Sequence, residues 1–169
     1  MNSKTVTLIT MVFSLVVFRL LPHLPNVSPV AAMALFGGVY FVDKRLAFIV
    51  PLLALLLSDF FLGLHQTMLF VYGGFAITVL IGMWLKHHLT VANTIIAVLG
   101  SSIIFFLLTN FGAWLMSGLY AYTFTGLLQA YVAGIPFFQN SLAGNLVFTA
   151  IIFGVYGVLK SHVNALREI

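Results

Sequence analysis

Residues 46–85 read LAFIVPLLALLLSDFFLGLHQTMLFVYGGFAITVLIGMWL and contain one charged side chain, that of Asp59. A helix needs about 20 apolar residues to cross roughly 30 Å of hydrocarbon. The quoted stretch supplies two such runs, 46–64 and 68–85, and a very short polar turn separates them. It therefore predicts a helical hairpin that crosses a membrane twice.

The sequence on either side of this hairpin continues the same pattern. The chain has 169 residues, of which 62% are hydrophobic and 6% are charged. Soluble domains carry roughly 25% charged residues, so this composition is typical of a chain surrounded by lipid. We predict an all-α integral membrane bundle of six transmembrane helices, forming a single domain over 1–169, with a long outer connection over 116–138. The expected helix bounds are about 5–21, 29–42, 46–64, 68–85, 94–115 and 140–159.

The second of these helices is unusually short. The charged triplet DKR at 43–45 ends it, so it spans only 29–42. At about 1.5 Å per residue its length is about 21 Å, which is less than the thickness of the hydrocarbon. Some non-helical backbone must therefore lie at membrane depth, where it is tolerated only beside protein or water. The short helix predicts a cavity at this position.

The basic residues predict the orientation. Cytoplasmic loops are enriched in Lys and Arg. With the N-terminus in the cytoplasm, six of the seven basic residues fall on the cytoplasmic side, and the outer connections contain none. Both termini are then expected to be cytoplasmic, in the cell inner (cytoplasmic) membrane, and the net charge of +4 indicates topology and not a nucleic-acid partner. The six residues are Lys4, Lys44, Arg45, Lys86, Lys160 and Arg167.

Four polar side chains inside the predicted helices share one depth in the outer half. They are Arg19, Asp59, Asn110 and Asn145. A charge at the bilayer centre costs about 2.5–3.5 kcal/mol on insertion scales, so such groups should face the interior and find partners. Arg19 and Asp59 are the only opposite charges there, and we predict that they meet. The pair either belongs to a ligand site or fixes helix packing, and the asparagines either line that site or bond across helices.

The outer connections add further polar groups to this layer. Apolar walls with a few convergent polar groups are typical of a small-molecule site. Three alternatives remain open: the tyrosines form an interfacial belt, the histidines are loop-tip residues, and glycine pairs such as Gly37-Gly38 and Gly73-Gly74 allow close helix packing. No metal or cofactor is expected. The candidate substrate-binding residues are Arg19, His23, Asn26, Asp59, His65, Gln66, Asn110, Trp114, Gln129, Tyr131, Asn140 and Asn145.

The sequence contains little that indicates an enzyme. It has no cysteine, no HExxH metal motif, no GxSxG elbow and no phosphate-binding glycine loop. Asp59 is the only carboxylate within a predicted span, which excludes a two-aspartate mechanism. A pairing of Ser58 with His65 stays open. We do not expect catalysis.

Four segments resemble an uncharacterised family of small bacterial six-helix membrane proteins. The resemblance covers nearly the whole chain, from Arg19 to Tyr156. More loosely, six helices within 170 residues and polar outer loops are similar to S components of energy-coupling-factor (ECF) vitamin transporters. The segments are LPHLPNVSPVAAMALFGG (21–38), PLLALLLSDFFLGLH (51–65), TNFGAW (109–114) and GLLQAYVAGIPFFQNSLAGN (126–145).

The resemblance to S components implies a substrate-binding membrane protein for uptake of a vitamin-like small molecule. It implies an outward-facing pocket formed by the first, third and fifth connections and the outer ends of the later helices. It also implies a partner made of a transmembrane coupling subunit with two ATPases. Many S components carry AxxxA on helix one for that contact, whereas this chain has only Thr10 and Ser14 at that spacing. The alternatives are a solitary transporter and a ligand-free structural or assembly subunit.

Overall fold

The computed structural model describes residues 3–21 and 26–162, and all regular secondary structure within these ranges is α-helical. This confirms the predicted all-α fold with six helices. The helices are α1 Ser3–Leu20, α2 Val30–Tyr40, α3 Lys44–Leu62, α4 Met68–Lys86, α5 Val91–Met116 and α6 Phe124–His162.

The surface of the bundle is apolar. The four helices α3, α4, α5 and α6 are each long and apolar enough to cross a membrane. Large side chains such as Phe60, Leu69 and Val147 are exposed on the outside of the bundle. A surface of this kind suits lipid and not water. The helices therefore indicate a multi-pass membrane protein.

Helix α2 lies in the core of the bundle. Every residue from Val30 to Val39 is buried, and α2 packs against all five other helices. Its sequence suits this position, because small residues such as Ala32, Ala34 and Gly38 allow neighbouring helices to approach closely. With 11 residues it is about 16 Å long. It therefore leaves room beyond its N-terminal end, as its predicted shortness required.

Helix α6 differs from the prediction. It was expected over 140–159 after a connection over 116–138, but it begins at Phe124 and continues to His162 through Pro136. The expectation of about 20 apolar residues for each membrane crossing identified only the most apolar part of this helix. The preceding turns are helical because they pack against α5, where the Tyr131 hydroxyl donates to the Leu107 carbonyl at 3.1 Å. The long outer connection is therefore reduced to 117–123.

The two ends of the bundle have different charge. At one end, here called the lysine end, lie Lys4, Lys44, Arg45, Lys86 and Lys160, at the beginning of α1 and α3 and the end of α4 and α6. At the opposite end, here called the arginine end, lies Arg19 at the end of α1. Placement of the lysine end in the cytoplasm remains a prediction from the basic residues.

Candidate functional site

Arg19 and Asp59 form the predicted ion pair. Arg19 Nη2 lies 2.6 Å from Asp59 Oδ1. The Nη1 group donates to the Ser58 hydroxyl and, at 3.3 Å, to the Leu55 carbonyl. These bonds tie the last turn of α1 to α3. The Asp59 side chain is 2% exposed, whereas that of Arg19 is 16% exposed. The carboxylate therefore lies behind the guanidinium, and only the cationic partner faces open space.

Tyr72 on α4 completes the network, because its hydroxyl donates to Asp59 Oδ2 at 2.8 Å. Both oxygens of the buried carboxylate therefore have donors. Hydrogen bonds to charged groups contribute about 1.5–3 kcal/mol to stability. The Tyr72 bond was not predicted, because a tyrosine in an apolar helix does not indicate which way its hydroxyl points.

Replacement of Tyr72 by phenylalanine tests this bond. We expect Tyr72→Phe to lower the free energy of unfolding by about 1.5–3 kcal/mol, since a buried carboxylate oxygen loses its donor. Thermal unfolding of the detergent-solubilised protein measures the change. Tyr131→Phe is the matched control, because the Tyr131 hydroxyl binds a neutral carbonyl. Equal losses in the two variants would show that the bond to Asp59 stabilises the fold no more than a hydrogen bond to a neutral carbonyl does.

A cavity of about 380 Å³ opens beside Arg19, at the N-terminal end of α2. This is the position at which the short second helix predicted empty space. Its polar lining combines a guanidinium, amides and hydroxyls, and its apolar walls come from Val71, Phe75 and Phe105. The Ser28 hydroxyl is buried and has no hydrogen-bond partner among the described residues. The polar lining residues are Arg19, Asn26, Ser28, His65, Thr109, Ser141 and Asn145.

A second cavity of about 210 Å³ adjoins the first between α5 and α6. Asn145 lines both cavities, is 7% exposed, and donates from Nδ2 to the Ser102 hydroxyl at 2.9 Å. Asn110 lines the second cavity and donates from Nδ2 to the Phe106 carbonyl at 2.8 Å. Its amide lies directly against Gly134, where there is no space for a larger residue. The two cavities share Asn26, Phe105, Thr109, Ser141 and Asn145.

The comparison with known proteins yields one match. A family model described as a family of unknown function (DUF6580) matches residues 1–166, which is nearly the whole chain. The chain belongs to the DUF6580 family. No curated protein and no solved structure matched it.

The structure brings together half of the predicted site residues of this DUF6580 chain. Four of them line the larger cavity: Arg19, Asn26, His65 and Asn145. Asn110 lines the smaller cavity, and Asp59 forms an ion pair with Arg19 on the side away from the cavity. His23 lies outside the described residues. The remaining predicted residues do not line either cavity; these are Gln66, Trp114, Gln129, Tyr131 and Asn140.

Trp114 and Tyr131 have other roles. Trp114 Nε1 donates to the Ala121 carbonyl at 2.9 Å, and its ring packs against Phe111 and Tyr122. These contacts stabilise the connection between α5 and α6. Because Tyr131 is bonded to the backbone of α5, both side chains act in packing. This arrangement favours a structural role for the aromatic residues near this connection.

Sequence reasoning missed the small hydroxyl residues of the cavities. Ser141 precedes Asn145 by one helical turn, and Thr109 precedes Asn110 by one residue. Residues three or four apart share a helix face, so Ser141 could have been predicted from the position of Asn145. Thr109 had no such signal, because a threonine in an apolar helix usually bonds its own backbone. Its hydroxyl does donate to the Phe105 carbonyl, at 2.8 Å.

The open Ser58–His65 pairing gains no support from the geometry. Ser58 is fully buried, donates to the Leu55 carbonyl and accepts from Arg19. The His65 ring is hydrogen-bonded to Thr67 at 3.0 Å. Within residues 3–21 and 26–162, no three His, Asp or Glu side chains are grouped closely enough to hold a metal ion.

Proposed function

We propose that this protein binds a vitamin-like small molecule in the paired cavities and serves its uptake across the membrane. The two adjoining cavities at the N-terminal end of α2, one lined by Arg19 and the other by Asn110, are here called the chamber. The observation that carries the proposal is the composition of this chamber. There, one partly exposed guanidinium, several amides and hydroxyls, and aromatic walls line two adjoining cavities. Small-molecule sites have this composition.

The electrostatics favour a ligand with a carboxylate or another strong acceptor. Arg19 faces the cavity while its counter-ion Asp59 lies behind it. The first N–H groups of a helix lack intrahelical partners and attract negative charge, and Val30 and Ala31 at the start of α2 line the same cavity. The unpartnered Ser28 hydroxyl adds a further donor. Arg19, the first backbone N–H groups of α2 and the Ser28 hydroxyl therefore offer hydrogen-bond donors on this side of the chamber.

A thermal-stability screen tests the proposal. The purified protein is heated in neutral detergent with a panel of vitamins and related carboxylates, each paired with its uncharged amide or ester. We expect at least one acid to raise the unfolding temperature and its uncharged counterpart to have a smaller effect. If no compound in the panel stabilises the protein, the chamber is not a site for this class of ligand.

Asn145→Leu tests whether the ligand binds in the chamber. The substitution keeps similar volume but removes a buried amide that lines both cavities, so we expect binding of any active compound to weaken about 10-fold or more. Titration of the unfolding temperature or calorimetry gives the affinity. Asn93→Leu is the matched control, because Asn93 lies at the opposite end of α5, where it bonds the His88 carbonyl. Equal affinities of Asn145→Leu and wild type would contradict the placement.

We also propose transport in the manner of an ECF S component, with a coupling subunit and ATPases as partners. Six helices and a chamber at the arginine end, which the basic residues predict to face outward, support this part of the proposal. Its test is co-purification from native membranes. Recovery of the ligand-bound chain alone, with uptake intact in cells lacking such ATPases, would favour a solitary transporter.

The second candidate is a ligand-free structural or assembly subunit. One observation favours it: each Asp59 oxygen already has a donor, from Arg19 or Tyr72, and Asp59 does not line the cavity. On this hypothesis the polar network joins α1, α3 and α4 and has no ligand. It predicts that the network is replaceable by apolar residues without loss of function.

A further inference from the structure

The smaller cavity of the chamber differs in its lining from the larger one. It measures about 210 Å³, and no charged side chain of the described residues lines it. Its walls contain four phenylalanine rings from α5 and α6. Aromatic rings pack against one another in offset or edge-to-face contacts that add to the burial of apolar area, so such walls favour a flat ring as their ligand. The four are Phe105, Phe106, Phe137 and Phe138.

Two asparagine amides, one from α5 and one from α6, line the same cavity. Each is held by one hydrogen bond from its Nδ2 atom. Asn110 donates to the Phe106 carbonyl at 2.8 Å, and Asn145 donates to the Ser102 hydroxyl at 2.9 Å. An asparagine amide has two N–H donors and an acceptor oxygen. Both side chains therefore have donor and acceptor capacity beyond the bond that holds them.

Gly134 on α6 gives the Asn110 amide its place in the cavity wall. Gly134 is buried and lines the cavity. A methyl group built at this glycine would overlap Asn110 Oδ1 and lie 2.7 Å from its Cγ atom. Because the obstacle is the end of a side chain and not a backbone, alanine at this position would displace the amide without separating the helices.

The polar groups of the larger cavity complement those of the smaller one. The Arg19 guanidinium lines the larger cavity, whereas the Asn110 amide lines the smaller one. Thr109, Ser141 and Asn145 line both, so the two volumes adjoin. A single molecule that occupies both would meet a cation in the larger cavity, and amides and aromatic rings in the smaller one.

We propose that the chamber selects a carboxylic acid that carries a planar ring with an N–H beside a C=O, as in a cyclic amide. The carboxylate binds Arg19, and the ring lies among the phenylalanines, where its N–H and C=O pair with Asn110 and Asn145. A ring without these groups would leave the amides unpaired, which disfavours its binding. This inference rests on the proposed function, because it uses the same chamber, and it adds the chemistry of the second end of the ligand.

The test uses three alkanoic acids with the same methylene spacer, which end in a pyridone ring, a phenyl ring or a methyl group. A short and a long spacer are compared, and titration of the unfolding temperature in neutral detergent gives the affinities. We expect the better pyridone acid to bind about 10-fold or more tightly than its phenyl counterpart, because only the pyridone pairs with the amides. Equal affinities of the three acids would overturn the ring site but leave an acid-binding chamber. Failure of every acid to bind would overturn both.

Two variants assign the preference to particular residues. Gly134→Ala displaces the Asn110 amide and Asn110→Ala removes it, so each should abolish most of the preference for the pyridone acid over the phenyl acid. The readout is the ratio of two affinities, which a general loss of stability does not change. Gly154→Ala on the same helix is the matched control, because no atom lies within 4 Å of a methyl group built there. This control should keep the wild-type ratio. A wild-type ratio in Gly134→Ala and Asn110→Ala would contradict the proposal.

Discussion

Replacement of Gly38 or Gly82 by alanine is expected to prevent the bundle from folding into a monodisperse protein. These glycines lie where α2 and α4 cross. A methyl group at Gly38 would overlap the carbonyl oxygen of Val79 and lie 2.8 Å from the Cα atom of Gly82. A methyl group at Gly82 would overlap the Leu35 carbonyl in the same way. Because the obstacles are backbone atoms, no rotamer change relieves the overlap.

The expected cost is large for this reason. Overpacking a core costs about 1–3 kcal/mol when side chains can adjust, and more when they cannot. Here the two helices must separate, and α2 is the buried centre of the bundle. We expect each variant to lose several kcal/mol of stability. Size-exclusion chromatography of the detergent extract and thermal unfolding of any folded fraction measure the loss.

Gly73→Ala and Gly100→Ala are the matched controls. No atom lies within 4 Å of a methyl group built at either position. Alanine is favoured over glycine in a helix by about 1 kcal/mol. Both variants should therefore be as stable as the wild type or slightly more stable. If Gly38→Ala behaves like these controls, then α2 and α4 do not approach as closely as the structure shows.

Removal of one partner of the Arg19–Asp59 pair is expected to have the next largest effect. Asp59→Leu leaves the guanidinium of Arg19 without its counter-ion in a largely buried position. Breaking a buried pair in this way costs about 3–5 kcal/mol. We expect Asp59→Leu and Arg19→Met each to lower the unfolding temperature strongly. Fluorescence-detected unfolding in detergent is sufficient to rank the single variants.

The double variant Arg19→Met with Asp59→Leu is expected to recover most of that loss. Replacing both charges by apolar residues removes the desolvation penalty together with the attraction. The coupling between the two sites follows from the four proteins of a double-mutant cycle. Because the two charged groups are 2.6 Å apart, we expect non-additive losses. Additive losses would show that the pair contributes no interaction energy.

The same double variant separates the two proposed functions. If the chamber is a ligand site, the folded double variant should lose binding of any compound found in the vitamin panel, because Arg19 lines the cavity. If the protein is a structural subunit, the folded double variant should keep its function in cells. Ligand affinity and complementation of a deletion strain therefore give opposite results under the two hypotheses.

The sequence predicted the depth at which the polar residues of the site lie. It did not predict the direction in which each side chain points. Arg19, Asp59, Asn110 and Asn145 were placed at one level because each is polar within an apolar run. Asn140 is equally polar and lies only five residues before Asn145 on α6, yet it lines neither cavity. The difference is the rotation of the side chain around the α6 axis. That rotation is set by packing against α5.

The glycines show the same division. Gly38 and Gly73 occur in equivalent GG pairs of the sequence, and both pairs are consistent with close packing. Only the structure shows that Gly38 meets another backbone whereas Gly73 faces open space. The beginning of α6 at Phe124 is a comparable case, because contacts with α5 extend that helix beyond its most apolar segment.

The amino-acid sequence alone determined the membrane character, the six helices, the asymmetry of basic charge and the common depth of the polar residues. These properties follow from the transfer energy of each residue into lipid, which depends on the residue and its position along a run. The tertiary structure decided which polar groups meet, where the chamber opens, and that Asp59 supports Arg19 from behind. Those features depend on how the helices rotate and pack, and such contacts join residues far apart in the chain.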